Sequence, residues 1–415
     1  MLAPMRPSTT HPTRVEIRFF LWGKKLMSSE EDSKKSRPHA EASIKPPPSR
    51  SSGSGQYSRV SAPPPSRHSS SHLPVPRVTV RLSAIDFDIV NAGRRILEGA
   101  LGVVPGERVV VLLDRARADL ASVLNEVAQS LGAVAIVFVM EEFGERPLRE
   151  LPHAVTEALD RAQASILIVG YNDAEFGMRR ELLTYITQNR LRHAHMVGVT
   201  RTSLITGFSV DTARILDATR AVRMRIRPDS KLHLRSASGS DLSVTIPPAH
   251  RWVEHVGAIR PGRWENLPTG ALVTAVGEVS GTFVADASLG AEIGASAGTL
   301  EHTPVRFEIE GGVCKRVHCS DLSLQRSVED ILRRERDLEK VGIVILGTNV
   351  GIVHATGEIC CDQNMPGLHI GFGATFPEYT GATWTSRGQL LATSSSGDVD
   401  LDGTPIIRSG RYIVS

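Results

Sequence analysis

From about Val78 onward the apolar residues alternate between two rhythms. Short β-branched runs (RVVVLLD ending in Asp114, AVAIVFV, SILIVGY and HMVGVT) predict strands. Between them ADLASVLNEVAQSLGA, LPHAVTEALDRA, FGMRRELLTYITQNR and DTARILDATRAVRMRI carry apolar residues at helical spacing. RVTVRL opens this region as an expected strand, followed by a helical IDFDIVNAGRRILEGAL. Strands alternating with helices of this length predict a parallel sheet covered on both faces.

Near Pro228 the rhythm changes. KLHLRSASGSDLSVTI reads as a hairpin around Ser-Gly-Ser, and FEIEGGVCKRVHC is strand-like. SVEDILRRERDLEKVG has the pattern of an amphipathic helix, and VGIVIL and LHIGFG read as short buried strands bounded by glycine. The expected fold class is therefore α/β: a parallel-sheet domain over residues 77–227, then a β-rich α+β domain over 228–415. Residues 1–76, with KPPPSRSSGSG and APPPSRHSSSH, form a basic Ser/Pro-rich tail expected to be disordered, because it has too little apolar surface to offset its ordering entropy. Met27, followed by SSEEDSKK, reads as an alternative start within that tail.

Composition narrows the function classes. The net charge of +3 is uneven, with roughly seven more basic than acidic residues in the first 75, so the remainder is mildly acidic. That disfavours a nucleic-acid platform, which needs clustered Lys and Arg. No apolar run approaches the roughly 20 residues of a membrane span, and no secretory h-region is present. Cys314, Cys319, Cys360 and Cys361 lack the paired spacing of a structural zinc site and read as reduced thiols. A cytoplasmic protein is expected.

The chemistry-bearing positions are few. No G-x-G-x-x-G or P-loop follows a strand, and no G-x-S-x-G occurs. Asp114 and Tyr171-Asn172-Asp173 stand at strand ends, where open sheets often bind ligands, though polar loop caps are the first reading there. His369 lies inside LHIGFG, where a hydrogen-bonded core histidine is the first reading and a ligand the second. Asp398, Asp400, Asp402 and Gly403 open a calcium-loop pattern, but Ser409 replaces its closing glutamate. Asp400 and Asp402 share one face of a strand, either as an exposed hairpin or as part of a cation site. His302, His318 and His354 show no ligand spacing.

VVPGERVVVLLD, NLPTG at 266–270, LGTN at 346–349, LHIGFG at 368–373 and DLDG at 400–403, in this order, resemble the metallopeptidase family typified by aminopeptidase T. The dihydroxypyridine dioxygenases share that scaffold. The resemblance implies a metal-binding Glu directly after NLPTG, where this chain has Ala271, and a second Glu shortly before LGTN, where it has Ile343. It retains His369, places Phe376 at an expected tyrosine, and puts Asp400 in place of the histidine of H-x-D-G while keeping Asp402.

The resemblance thus implies a kept scaffold with a degenerate metal site. His369, Asp400 and Asp402 remain to hold at most one divalent Zn, Co, Mn or Fe ion weakly. The expected role is binding of a peptide or peptide terminus through His369, Glu378, Asp400 and Asp402, without a cofactor. The chain looks like the metal-depleted proteins of crocagin-type pathways, which mature ribosomally made peptides. The rival expectations are an aminopeptidase T-like hydrolase with altered ligands and a ring-cleaving dioxygenase relative. Homodimerisation is a family expectation.

Overall fold

The computed structural model describes residues 87–414, all within one compact unit. The basic tail and RVTVRL lie outside the described residues. Four of the strands, β1 (Arg108–Leu113), β2 (Val134–Val139), β3 (Ala164–Val169) and β4 (Arg192–Val197), pair in parallel in the order β2-β1-β3-β4. Alternation along them separates two cores. Val109, Val111 and Leu113 face the helices Phe87–Arg94 and Asp119–Ser130, while Val110 and Leu112 face His153–Leu159 and Phe176–Gln188. The expected first helix is present and continues as a wide π-helical turn over Arg95–Ala100.

The expected strand HMVGVT begins three residues earlier than its sequence suggests and ends at Val197. Two histidines hide this extension, because burial keeps both neutral. His193 Nδ1 lies 2.8 Å from Ser165 Oγ, and His193 Nε2 lies 3.2 Å from His195 Nδ1. Burial pushes His193 down to about 3. Thr200 then starts an unanticipated helix, Arg201–Gly207, through a reciprocal capping box with Ser203.

The other strands, in chain order, are β5 (Lys231–Arg235), β6 (Asp241–Thr245), β7 (Val253–His255), β8 (Arg263–Asn266), β9 (Ala271–Ala275), β10 (Val279–Ala285), β11 (Val305–Glu310) and β12 (Val313–His318). After the helix Leu322–Arg333 come β13 (Val341–Gly347), β14 (Gly367–Gly373), β15 (Gln389–Ala392), β16 (Asp398–Leu401), β17 (Thr404–Arg408) and β18 (Arg411–Tyr412). That helix begins earlier than its apolar pattern suggests, because Asp321 caps it by accepting from Ser323 N and Leu324 N.

β8 returns to the first sheet and pairs in parallel with β4. The rest form an eight-stranded sheet, β12-β11-β10-β6-β5-β16-β17-β18, and a five-stranded one, β15-β14-β13-β9-β7. A parallel-sheet α/β region is thus followed by a β-rich antiparallel one. The two antiparallel sheets share a core in which Phe307 and Phe372 meet with ring centroids 5.0 Å apart. Among the described residues no helix is long and apolar enough to cross a membrane.

Candidate functional site

The five-stranded sheet has two faces of different destiny. Val344, Leu346, Leu368, Ile370 and Phe372 point into the core shared with the larger sheet. The intervening residues Ala271, Val273, Ile343 and Ile345 point the other way and form a separate buried cluster with Ile359 and Leu391. Partly buried Phe376 and Tyr379 pack on it. On strands paired as Ile343 with Ala275, Ala271 with Gly347 and Ile345 with His369, strict alternation puts all these side chains on one face. That is the face on which the resemblance places its metal-binding glutamates. Ile343 fills the space over Gly371: a Cβ there would come within 2.7 Å of Ile343 Cγ1.

His369 sits on the same face, fully buried, with both ring nitrogens used. Nε2 lies 2.9 Å from the Met365 carbonyl, to which it donates, and Nδ1 accepts from Ser394 N at 3.2 Å. Burial holds its pKa down to about 4, so the ring is neutral near pH 7. Asp400 is taken by two arginines, Arg235 Nη2 at 2.8 Å and Arg408 Nη2 at 2.7 Å. Asp402, at φ 52° in the β16–β17 turn, accepts from Lys231 N at 2.8 Å and Ser230 Oγ at 3.0 Å. Glu378 is exposed, and its backbone carbonyl accepts from Arg251 Nη2 at 2.9 Å.

The four residues expected to form one site are therefore held by separate partners. The physical reason is that each has partners of its own: Asp400 and Asp402 are satisfied mainly from β5 and the residue before it, and His369 by the loop before β14 and the segment after β15, while Glu378 stands exposed. Among the described residues no group of three or more His, Cys, Asp or Glu is arranged to hold a metal ion. The donor set does not fit the divalent ion that the resemblance implies.

NLPTG and LGTN do meet, as a structural joint. Asn349 is fully buried, and its Nδ2 donates to the carbonyls of Gly207 at 2.9 Å and Thr269 at 2.8 Å. Thr348 Oγ1 lies 2.7 Å from Thr219 Oγ1. These bonds tie the central strand β13 to two helices of the first half of the chain.

At the strand ends of the parallel sheet, where connections leave β1 and β3 in opposite directions, an ion network fills the crevice. Asp114 Oδ2 accepts from Arg117 Nη1 at 2.8 Å, Arg146 Nη1 at 2.9 Å and Gly170 N at 2.5 Å. Arg146 also binds the fully buried Glu175 through Nε at 2.7 Å. Asp114 thus serves as an anchor for loops.

An open cleft begins where the apolar cluster ends. Ile359 and Leu391 form part of its floor; Tyr171, Asp173, Glu292 and Arg334 stand on its walls. The cavity volume is about 70 Å³, enough for a terminal group. Tyr171 Oη donates to Asp173, and Arg334 Nη1 pairs with Glu292 at 3.0 Å. Burial, helped by Asp173, pushes the Tyr171 hydroxyl well above its ordinary pKa, so it stays protonated. Gln389 Nε2 is a buried amide donor without an acceptor among the described residues. Counting Glu335, the lining carries three carboxylates to one guanidinium. None of His369, Glu378, Asp400 and Asp402 lines it. Sequence reading flagged Tyr171 and Asp173 but missed Glu292, Arg334 and Gln389, which come from three further segments without a local signal.

A family model described as NicX, 2,5-dihydroxypyridine 5,6-dioxygenase, matches residues 88–327. Among solved structures, 2,5-dihydroxypyridine dioxygenase from Pseudomonas putida KT2440 is 15% identical with a TM-score of 0.56, over 80% of this chain and 98% of that one. Wild-type AmpT from Thermus thermophilus is 18% identical with a TM-score of 0.55, over 80% of this chain and 100% of that one. At these identities the likeness is one of fold, and it bears out the expected scaffold. No curated protein sequence matches the chain.

Proposed function

The chain belongs to the family of NicX, 2,5-dihydroxypyridine 5,6-dioxygenase, and from that premise we propose that it has become a binding protein for the amino terminus of a peptide, acting without a metal ion. The observation that carries this reading is the pairing of two adjacent features. The sheet face where cations are expected is packed with Ala271, Ile343 and their neighbours, and beside it lies a carboxylate-rich cleft with an unpartnered amide donor.

The chemistry follows from the lining. An α-ammonium is a compact cation with three donors, and Asp173, Glu292 and Glu335 outweigh Arg334 in charge. The first peptide carbonyl is the kind of acceptor that Gln389 Nε2 lacks. Ile359 and Leu391 offer an apolar seat to the first side chain. The ligand class we put forward is a ribosomally made precursor peptide held during maturation, by a homodimer in the cytoplasm; light scattering of the purified protein tests the dimer.

The deciding experiment is fluorescence anisotropy with a labelled hexapeptide bearing an apolar first residue, free or N-acetylated, with and without EDTA. The free peptide is expected to bind, acetylation to weaken it at least about ten-fold, as loss of a charged hydrogen-bonded group does, and EDTA to change nothing. Asp173→Asn should weaken binding of the free peptide alone. Equal binding of the acetylated peptide, or binding lost in EDTA, sinks the proposal. Metal-dependent cleavage of aminoacyl amides, or oxygen uptake with a hydroxypyridine and ferrous iron, would establish an enzyme instead.

A further inference from the structure

A second pocket, of about 330 Å³, lies between the end of the helix Thr212–Arg223 and the segment joining β6 to β7. Its charged lining is opposite to that of the cleft: Arg223, Arg227 and Arg251 against Asp229 alone. Arg251 donates through Nε to the Tyr379 carbonyl and through Nη2 to the Glu378 carbonyl, both at 2.9 Å, which leaves Nη1 without an acceptor among the described residues. Arg223 Nε stands 3.6 Å from Glu254 at the edge of hydrogen-bond reach. Trp252 lines the same pocket, and its buried indole N–H has no acceptor among the described residues. A buried donor left unmade costs about 1–3 kcal/mol, so an acceptor there is favoured.

The remaining wall is apolar. Ile226 and Ile246 belong to the shared core, the Trp252 ring packs on that core, and Pro247 and Pro248 close the side. An inorganic anion gains nothing from such a wall, whereas an acid with an apolar body buries it. We propose that this pocket binds an organic carboxylate, its oxygens meeting the guanidinium groups and the Trp252 N–H, its apolar part lying on the proline and indole wall. The assignment is independent of the peptide cleft.

Isothermal titration of the full chain with phenylacetate, its neutral isostere phenylacetamide, and inorganic phosphate tests it. Phenylacetate is expected to bind saturably at one site, with the amide and phosphate each at least about ten-fold weaker, as loss of charge-assisted bonds or of apolar burial requires. Arg227→Ala, at an exposed position, should weaken phenylacetate about five-fold or more without moving Tm, while Arg227→Lys keeps part of the affinity. Trp252→Phe, which keeps an aromatic ring but removes the N–H and part of the indole surface, should also weaken it. Amide binding as tight as the acid, phosphate binding as tight as phenylacetate, absence of saturable phenylacetate binding, or indifference to Arg227→Ala would overturn the proposal.

Discussion

Ala271 and Ile343, on adjacent antiparallel strands, project from the same face of one sheet into the same buried apolar cluster. Their strands therefore do for packing what the resemblance expects acids to do for a cation. Ile343 also occupies the space over Gly371, where no side chain competes with it. Ile343→Ala should empty that volume and cost about 2–5 kcal/mol, in the usual range for a large-to-small core change. Urea denaturation reads this directly. A loss under about 1 kcal/mol, typical of surface changes, would mean that the cluster is loosely packed.

Asn349 joins the two halves of the described chain by donating to two carbonyls from different segments. Asn349→Ala leaves both carbonyls buried without that donor and should cost about 2–3 kcal/mol. Asn349→Asp should cost more, because it turns a carboxylate toward carbonyl oxygens. An Asn349→Asp variant as stable as wild type in chemical denaturation would show that the side-chain oxygen, not the amide nitrogen, carries the contact.

Arg146 bridges Asp114 and the fully buried Glu175. Arg146→Met keeps much of the stem volume but leaves the buried Glu175 without its guanidinium and Asp114 with Arg117 alone, and breaking a buried pair in this way costs about 3–5 kcal/mol. Thermal melts of the variant and wild type at pH 7 compare the two. A variant that melts like wild type at pH 7 refutes the bridge.

The α/β half was legible because its strands are continuous apolar runs, and burial on both faces of the central strands β1 and β3 produces that pattern. β8 was not legible. Its four residues, Arg263–Asn266, contain no apolar run and become a strand only by pairing with β4. The helix Arg201–Gly207 was masked by reading Thr200 as the end of a strand, though the Thr200–Ser203 box is a local signal. At the site, the glycine-bounded apolar run VGIVIL put Ile343 in a buried strand and LHIGFG marked His369 as a core histidine, while Ala271 was picked out only by the resemblance. The cleft was illegible, since Tyr171, Glu292, Arg334 and Gln389 are neighbours only after folding.

His369 makes the stability of this protein sensitive to acid. Burial lowers its folded pKa to about 4 from an ordinary value of 6.5. Above pH 6.5 both folded and unfolded chains carry it neutral, and its contribution is full. As pH falls from 6.5 toward 4 the unfolded chain takes up a proton that the folded chain refuses, so stability declines; below about 4 the decline from this group ends. The shift corresponds to about 3 kcal/mol at most. Burial of His193, held down to about 3, acts in the same direction and extends the window downward. In urea denaturation at pH 7, 5.5 and 4.5, His369→Gln should show a shallower fall than wild type, whatever its stability at pH 7. The same ring decides the metal question. With Nε2 donating to Met365 and Nδ1 accepting from Ser394, a divalent ion must break one of these bonds before it can bind. Zinc or cobalt at about 100 times a typical site's Kd would raise stability by about 2.7 kcal/mol if the site existed. We expect no His369-dependent rise in Tm, and a rise abolished by His369→Gln would restore His369 as a ligand.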